Sequence, residues 1–187
     1  MWERRSASII AAGTPLPQKK FQLAGKGAAV SAIRRRTIEG VKPGDRFAVT
    51  RRFGEADTLR FGELTRDYNP VHHDERFARA KGLPGRICHG LLVGALVTEI
   101  GGQIGWLASG MSFRFLGPVF FDETVTCTLT VHTVDPGGKA RASAEMRAGD
   151  GRLVATAELF GLLPSAADRE VLQRMVEEGD PTNPLRT

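Results

Sequence analysis

The sequence predicts an α+β domain in which an antiparallel sheet wraps one long central helix, and three observations predict it. Residues 90–104 are apolar nearly all round, as a helix buried on every side requires. From residue 124 the period shortens to two: Val125, Cys127, Leu129 and Val131 alternate with Thr124, Thr126, Thr128 and Thr130, a strand with one dry and one wet face. Asp135-Pro136-Gly137-Gly138 and Gly149-Asp150-Gly151 then read as hairpin turns between further strand-like runs, so the second half is a meander.

Taken in order, residues 1–40 mix Gly, Ala, Ser and scattered Arg, with Pro15 and Pro17 breaking any long helix and no sustained period of 2 or 3.6. They are expected to form a mobile, basic extension, followed by a domain at 41–164 and a C-terminal helix and tail at 165–187. The turn-rich run Val41-Lys42-Pro43-Gly44-Asp45 opens the domain and leads into a strand at 47–53. Leu59, Phe61 and Leu64 suit a short helix over 55–64, and residues 72–81 a second, closed by Gly82, Pro84 and Gly85. Within the central helix, Gly94 and Ala95 leave little side chain, which lets a sheet approach closely. Strands follow at 111–115, at 140–146, where Ala140, Ala142, Ala144 and Met146 alternate with polar residues, and at 153–163, with an awkward bend at 116–120. Residues 168–178 place Val171, Leu172, Met175 and Val176 on one helical stripe, with Gly179 and Pro181 as stop signals.

Composition narrows the function classes. Hydrophobic content of 41% and charged content of 25% are ordinary for a globular chain, which argues against wholesale disorder. The longest apolar run, 91–97, is far shorter than the roughly 18–20 residues that cross a bilayer, so no membrane partner is expected. Two cysteines, Cys88 and Cys127, without CxxC spacing read as reduced buried thiols and a cytoplasmic protein, not a disulfide or zinc scaffold. The Arg, Ser and Ala content of the extension leaves a mitochondrial transit peptide as the alternative location, although Glu3 and the two prolines fit it poorly. The net charge of +5 does not make a nucleic-acid footprint. Residues 1–40 hold eight Lys/Arg against two acids, while 41–187 hold 18 against 19, so the domain itself carries −1. Arg34-Arg35-Arg36 reads as a solvated run.

One stretch carries chemistry. Asp67-Tyr68-Asn69-Pro70-Val71-His72 sets a carboxylate and an imidazole five positions apart across a proline-stiffened loop, where both can converge on one water. Asn69 fits as an organiser through an Asx-type hydrogen bond. Cys88-His89-Gly90 opens the central helix, where free N–H groups and the positive end of the dipole face outward. The Gly90 N–H is a candidate oxyanion donor, and His89 is expected to bond near the helix start. Asp74 is expected to cap the helix after it. His73 and Asp74 beside His72 look like metal ligands, but adjacent side chains point apart, and neither a metal nor another cofactor is expected.

Asp67-x-Asn69-Pro70-x-His72, His89-Gly90-Leu91-Leu92, Ser112-Phe113-Arg114-Phe115 and Pro118-Val119-Phe120 together resemble the MaoC-like, (R)-specific enoyl-CoA hydratase family over residues 41–163. The resemblance implies a hot-dog fold, a homodimer or higher homo-oligomer, and a lyase of fatty acid metabolism. Its reaction would be reversible syn addition of water to a trans-2-enoyl thioester, of CoA or acyl carrier protein, giving the (R)-3-hydroxyacyl thioester. By position Asp67 and His72 match the catalytic pair and Gly90 the amide that binds the thioester oxygen. Asn69, His89 and Thr98 fall among the substrate-binding positions, Thr98 where some members carry a serine. Two alternatives stand beside this reading: a hot-dog module that binds acyl-CoA without turnover, and a hot-dog thioesterase. The Asp/His pair argues against the first and the Asn-Pro-x-His linkage against the second.

Overall fold

A computed structural model describes residues 30–179. Its helices are α1 (Ala32–Glu39), α2 (Glu55–Thr65), α3 (Pro70–His73), α4 (Glu75–Ala80), α5 (Gly90–Gly94), α6 (Leu96–Ile104) and α7 (Ala166–Glu177). Its strands are β1 (Arg46–Arg52), β2 (Leu107–Phe115), β3 (Thr124–Val134), β4 (Lys139–Ala148) and β5 (Leu153–Leu162). All five strands form one antiparallel sheet in the order β1-β3-β4-β5-β2. This is the expected α+β, hot-dog arrangement, with α6 lying against β1 and β3.

Side-chain alternation decides which face of the sheet is dry. Val125, Cys127 and Leu129 of β3 are fully buried, while the Thr126 hydroxyl on the other face meets that of Thr50 at 2.9 Å. Alanines at 140, 142 and 144 on β4 keep the inner surface shallow, so the helices seat closely on it. Ile100 and Ile104 of α6 fill the centre of this core. Gly94 is needed because the Phe113 ring already lies 3.1 Å from where a Cβ would stand.

Several elements differ from expectation for identifiable reasons. The central helix is two helices broken at Ala95, whose carbonyl accepts the Thr98 hydroxyl at 2.7 Å, a side-chain bond that competes with the helical ladder and bends it. Nor is it buried all round: Val93, Leu96, Val97, Ile100 and Ile104 are buried, whereas Leu91 and Thr98, seven residues apart on the opposite face, are exposed. The helix expected over 72–81 splits at Asp74, which is extended (φ −124°, ψ 116°) and caps α4, its carboxylate accepting Arg76 N–H at 2.8 Å. In α2 the buried positions are Thr58 and Gly62, one turn apart, and Leu64 is 83% exposed. Strand β2 starts four residues earlier than the pattern predicts, because a bulge between Ala108 and Gly110 shifts its register and hides the period.

The domain also begins earlier. Helix α1 lies inside the expected extension, with Ser31 accepting the Arg34 N–H at 3.0 Å as its cap, and it packs on α6 and α7. Ile33, Arg34 and Thr37 are buried, and Arg36 bonds Asp45 at 3.0 Å, so the arginine run is not a solvated one. The rest of the expected mobile extension, residues 1–29, lies outside the described residues. Helix α7 carries a capping box between Ser165 and Asp168, and its stripe is only partly covered, with Val171 46% exposed. Both cysteines are free and buried. No helix among the described residues is long and apolar enough to cross a membrane.

Candidate active site

The site starts where α2 stops. Arg66 ends that helix in the left-handed conformation (φ 59°, ψ 27°) and turns the chain so that Asp67 stands outside any helix. Two nested Asx turns then stiffen the loop: Asp67 Oδ1 accepts the Asn69 N–H at 3.2 Å, and Asn69 Oδ1 accepts the Val71 N–H at 3.3 Å. Pro70 supplies the first residue of α3, where its missing N–H is no loss. This single turn of helix carries His72 inward until it is 8% exposed.

The tautomer of His72 follows from its partner. Nδ1 lies 2.9 Å from the Ile87 carbonyl oxygen, which can only accept, so Nδ1 carries the proton and the neutral ring presents an unshared pair at Nε2. Burial holds the His72 pKa below the ordinary imidazole value, with the His89 and His73 imidazoles adding to the effect and the Ile87 bond and Asp67 opposing it. His72 is therefore a neutral base near neutral pH.

His89 is 1% exposed and caps α5 at the protein's interior. Its ring stacks on His72 at 3.9 Å between centroids and lies 5.1 Å from Phe61. Nε2 donates to the Asp67 carbonyl oxygen at 3.0 Å and stands 3.9 Å from Asp67 Oδ2, while Nδ1 is buried without a partner among the described residues. One ligand atom each of Asp67, His72 and His89 lies within 4.8 Å of the others, which is near enough for a metal ion. Two of the ring nitrogens are already committed in the structure, His72 Nδ1 to the Ile87 carbonyl and His89 Nε2 to the Asp67 carbonyl.

Beside this cluster opens a pocket of about 440 Å³, walled by His72, Gly90, Leu83, Val93, Phe115 and Val119 among others. Gly90 is the first residue of α5, so its N–H has no acceptor within the helix, and His89 provides no side-chain cap bond. The Phe115 ring lies 3.0–3.1 Å from where a Gly90 Cβ would stand, so only glycine lets the ring and the amide share this wall. Cys88 also faces the pocket, but burial pushes its thiol up to about 11, and it is a wall group and not a nucleophile.

Of the residues read from sequence, Asp67, His72 and His89 come together, and His72 and Gly90 share the pocket wall. Asn69 shapes the loop without lining the pocket. Thr98 is not brought to it: the residue is exposed and its hydroxyl is taken by the Ala95 carbonyl. Residues not singled out for the site beforehand are Ile87, Phe115 and Gly62; His73, read beforehand only as an apparent metal ligand, reaches the Asp67 carbonyl oxygen with Nε2 at 3.2 Å. Inside α2 an alanine at 62 would add about 1 kcal/mol of helix stability over glycine. Its Cβ would meet the His73 ring at 3.1–3.2 Å.

A family model described as "MaoC like domain" matches residues 25–151, more than half of the chain, including the Asp67–His72 loop and every pocket wall residue except Val154 and Ala155. The chain belongs to the MaoC-like family. This MaoC-like domain is 31% identical over 99 residues to the (R)-specific enoyl-CoA hydratase of Aeromonas caviae, covering 51% of this chain and 74% of that protein. It is 30% identical over 97 residues to the mitochondrial 3-hydroxyacyl-[acyl-carrier-protein] dehydratase of Arabidopsis thaliana, covering 51% of this chain and 57% of that one. Among solved structures it resembles the (R)-hydratase from A. caviae involved in PHA biosynthesis, with a TM-score of 0.64 and 29% identity over 67% of this chain and 99% of the other. The hot-dog fold of the MaoC-like domain stands on both geometry and kinship.

Proposed function

We propose that this MaoC-like domain is a lyase that reversibly adds water across a trans-2-enoyl thioester to give the (R)-3-hydroxyacyl thioester. The observation that carries the reading is the neutral His72, its Nε2 pair unshared and its Nδ1–H held by Ile87, on the wall of an apolar pocket beside the Asp67 carboxylate and the Gly90 N–H.

The roles follow from the proton positions. Water held between Asp67 and His72 loses one proton to Nε2 as its oxygen bonds to Cβ, and the π electrons move onto the thioester oxygen, where the Gly90 N–H receives the charge. The imidazolium then returns its proton to Cα on the same face, which makes the addition syn. Asp67 accepts a hydrogen bond from the second O–H of the water, which stays on the product hydroxyl, and so aligns the water and stabilises the transient imidazolium. Dehydration runs the same steps backwards.

Relatives named for CoA thioesters and for carrier-protein thioesters both support this thioester chemistry, and either carrier is a substrate in this reading. A homodimer is its working unit, supported by β2, an edge strand that leaves Leu107 72% and Phe115 51% exposed. The cytoplasm is its compartment, supported by two free buried thiols. The test is product analysis with crotonyl-CoA and the matching carrier-protein thioester: 3-hydroxybutyryl thioester of R configuration is expected. Release of free thiol without hydration would make the protein a thioesterase, and binding without turnover an acyl-thioester module. Light scattering of the active protein checks the dimer, and an active monomer would refute it.

A further inference from the structure

We propose that His73 is a positioning residue which, seated in a space left open by Gly62, fixes the angle at which Asp67 presents its carboxylate; the inference rests on the hydratase reading of the site. Asp67 needs such support. It lies in no helix, and its side chain is 50% exposed. What holds it is hydrogen bonding at its own backbone and at Oδ1. The Asn69 N–H reaches Oδ1 at 3.2 Å, and the Thr65 hydroxyl accepts the Asp67 N–H at a long 3.4 Å. The carbonyl oxygen is the firm point. It can only accept, and it faces Nε2 of His89 at 3.0 Å and Nε2 of His73 at 3.2 Å, so two imidazoles donate to its two unshared pairs from different elements. A peptide plane gripped from both sides cannot shift without breaking one of these bonds, and this fixes the backbone at Asp67 from which the carboxylate projects.

The two histidines are not equivalent. His89 is buried at the head of α5 and packs on His72, so its loss would disturb the fold and the base together. His73 is partly exposed and does not line the pocket; its ring lies 6.2 Å from that of His72 and 5.7 Å from that of His89, and its hydrogen bond goes to the Asp67 carbonyl. Gly62 is the second, independent observation. It is buried in the interior of α2 with no positive φ to require glycine, yet a Cβ there would stand 3.1 Å from His73 Cε1, 3.2 Å from Nε2 and 3.3 Å from the Asp67 carbonyl oxygen. The missing methyl group is the space in which ring and carbonyl meet.

The experiment measures kcat and KM for crotonyl-CoA, with thermal melting, for His73→Ala, His73→Gln, Gly62→Ala and the Gly62→Ala/His73→Ala double variant, with Asp67→Asn alongside. His73→Ala should lower kcat about tenfold with KM within about twofold, inside the roughly hundredfold that a 1 Å misplacement of a reacting group costs. His73→Gln carries an amide N–H near the position of Nε2 and should restore most of that loss. Gly62→Ala should lower kcat severalfold in the parent chain and by clearly less in the His73→Ala background, because the ring it displaces is then gone and only the 3.3 Å approach to the Asp67 carbonyl oxygen remains. Full kcat in His73→Ala, a loss carried by KM or by melting, no rescue by Gln, or additive losses in the double variant would each overturn the proposal. If His73→Ala does not fold, the Gln and Gly62→Ala variants decide it on the same criteria. Near-normal turnover by Asp67→Asn would instead overturn the hydratase reading, whatever His73 does.

Discussion

Replacing His72 by Asn separates its two nitrogens. The Asn amide sits where Nδ1 stands and keeps a donor for the Ile87 carbonyl 2.9 Å away, but nothing replaces Nε2. If that unshared pair is the base, turnover should fall by about 10² to 10⁴, the usual contribution of general acid/base catalysis. Stability should hardly change. His72→Ala should show the same loss of turnover and also leave the carbonyl unpaired, at a cost of about 1–3 kcal/mol. In a domain of this size that lowers Tm by roughly 2–12 °C. Adding Asp67→Asn to His72→Asn should cost little more, since both groups act on one water. Hydration of crotonyl-CoA followed by loss of the enoyl thioester absorbance, with melting curves on the same samples, measures both quantities. A folded His72→Asn protein within about tenfold of parent turnover would refute the base assignment.

The pH dependence has a definite sign. With its pKa depressed by burial, His72 should give kcat/KM an acid limb below the ordinary imidazole value of about 6.5, and a limb near 8 would contradict the tautomer argument. The unfolded chain binds this proton more tightly, so the His72 contribution to stability is intact above about pH 6.5 and is lost as pH falls through the lower folded value, which melting at stepped pH checks. Gly90→Ala forces the Phe115 ring off its 3.0 Å approach and moves the amide wall with it, so kcat should drop at least about tenfold, and unchanged kcat would remove Gly90 N–H from the mechanism. A chain starting at residue 41 loses α1 and the buried Ile33 and should be destabilised by about 1.5–3 kcal/mol, against the expectation from charge and composition that residues 1–40 are a mobile extension; an unchanged Tm would mean α1 contributes nothing.

Sheet and site were legible where a local pattern determines them. The β3 alternation is a period-2 signal, because every second side chain must enter the same core, and it survives intact as Val125, Cys127, Leu129 and Val131. The loop from Asp67 to His72 was legible because Asx turns and proline act over two or three residues. Helix α1 was hidden because a run of arginines masks an Ile33/Thr37 stripe that has meaning only against α6 and α7. The break at Ala95 was hidden because a threonine hydroxyl turned back on the helix leaves no mark in hydropathy. Thr98 shows the same limit from the other side, since its position matched a pattern while its rotamer put the hydroxyl elsewhere. His73 was visible as a residue and misleading as a neighbour, because its adjacency to His72 suggested metal ligation, whereas its partner is a backbone oxygen six positions back.

Phe115 links the site to the outer surface of the domain. Its ring forms part of the pocket wall and presses on Gly90, yet 51% of the residue is exposed on the edge strand β2. Phe113 lies parallel to it at 6.1 Å and fills the space left by Gly94, so the two aromatics brace α5 at successive turns. Whatever covers the free edge of β2 would therefore also load the wall that holds Gly90, the proposed oxyanion donor. A homodimer joined there would exclude water from the pocket rim and hold Phe115 against Gly90 in one step, and a monomeric variant would lose both. Such a dimer would couple catalysis and assembly through one side chain, and a loss of kcat on dilution, in parallel with loss of the dimer, is the behaviour this coupling would require.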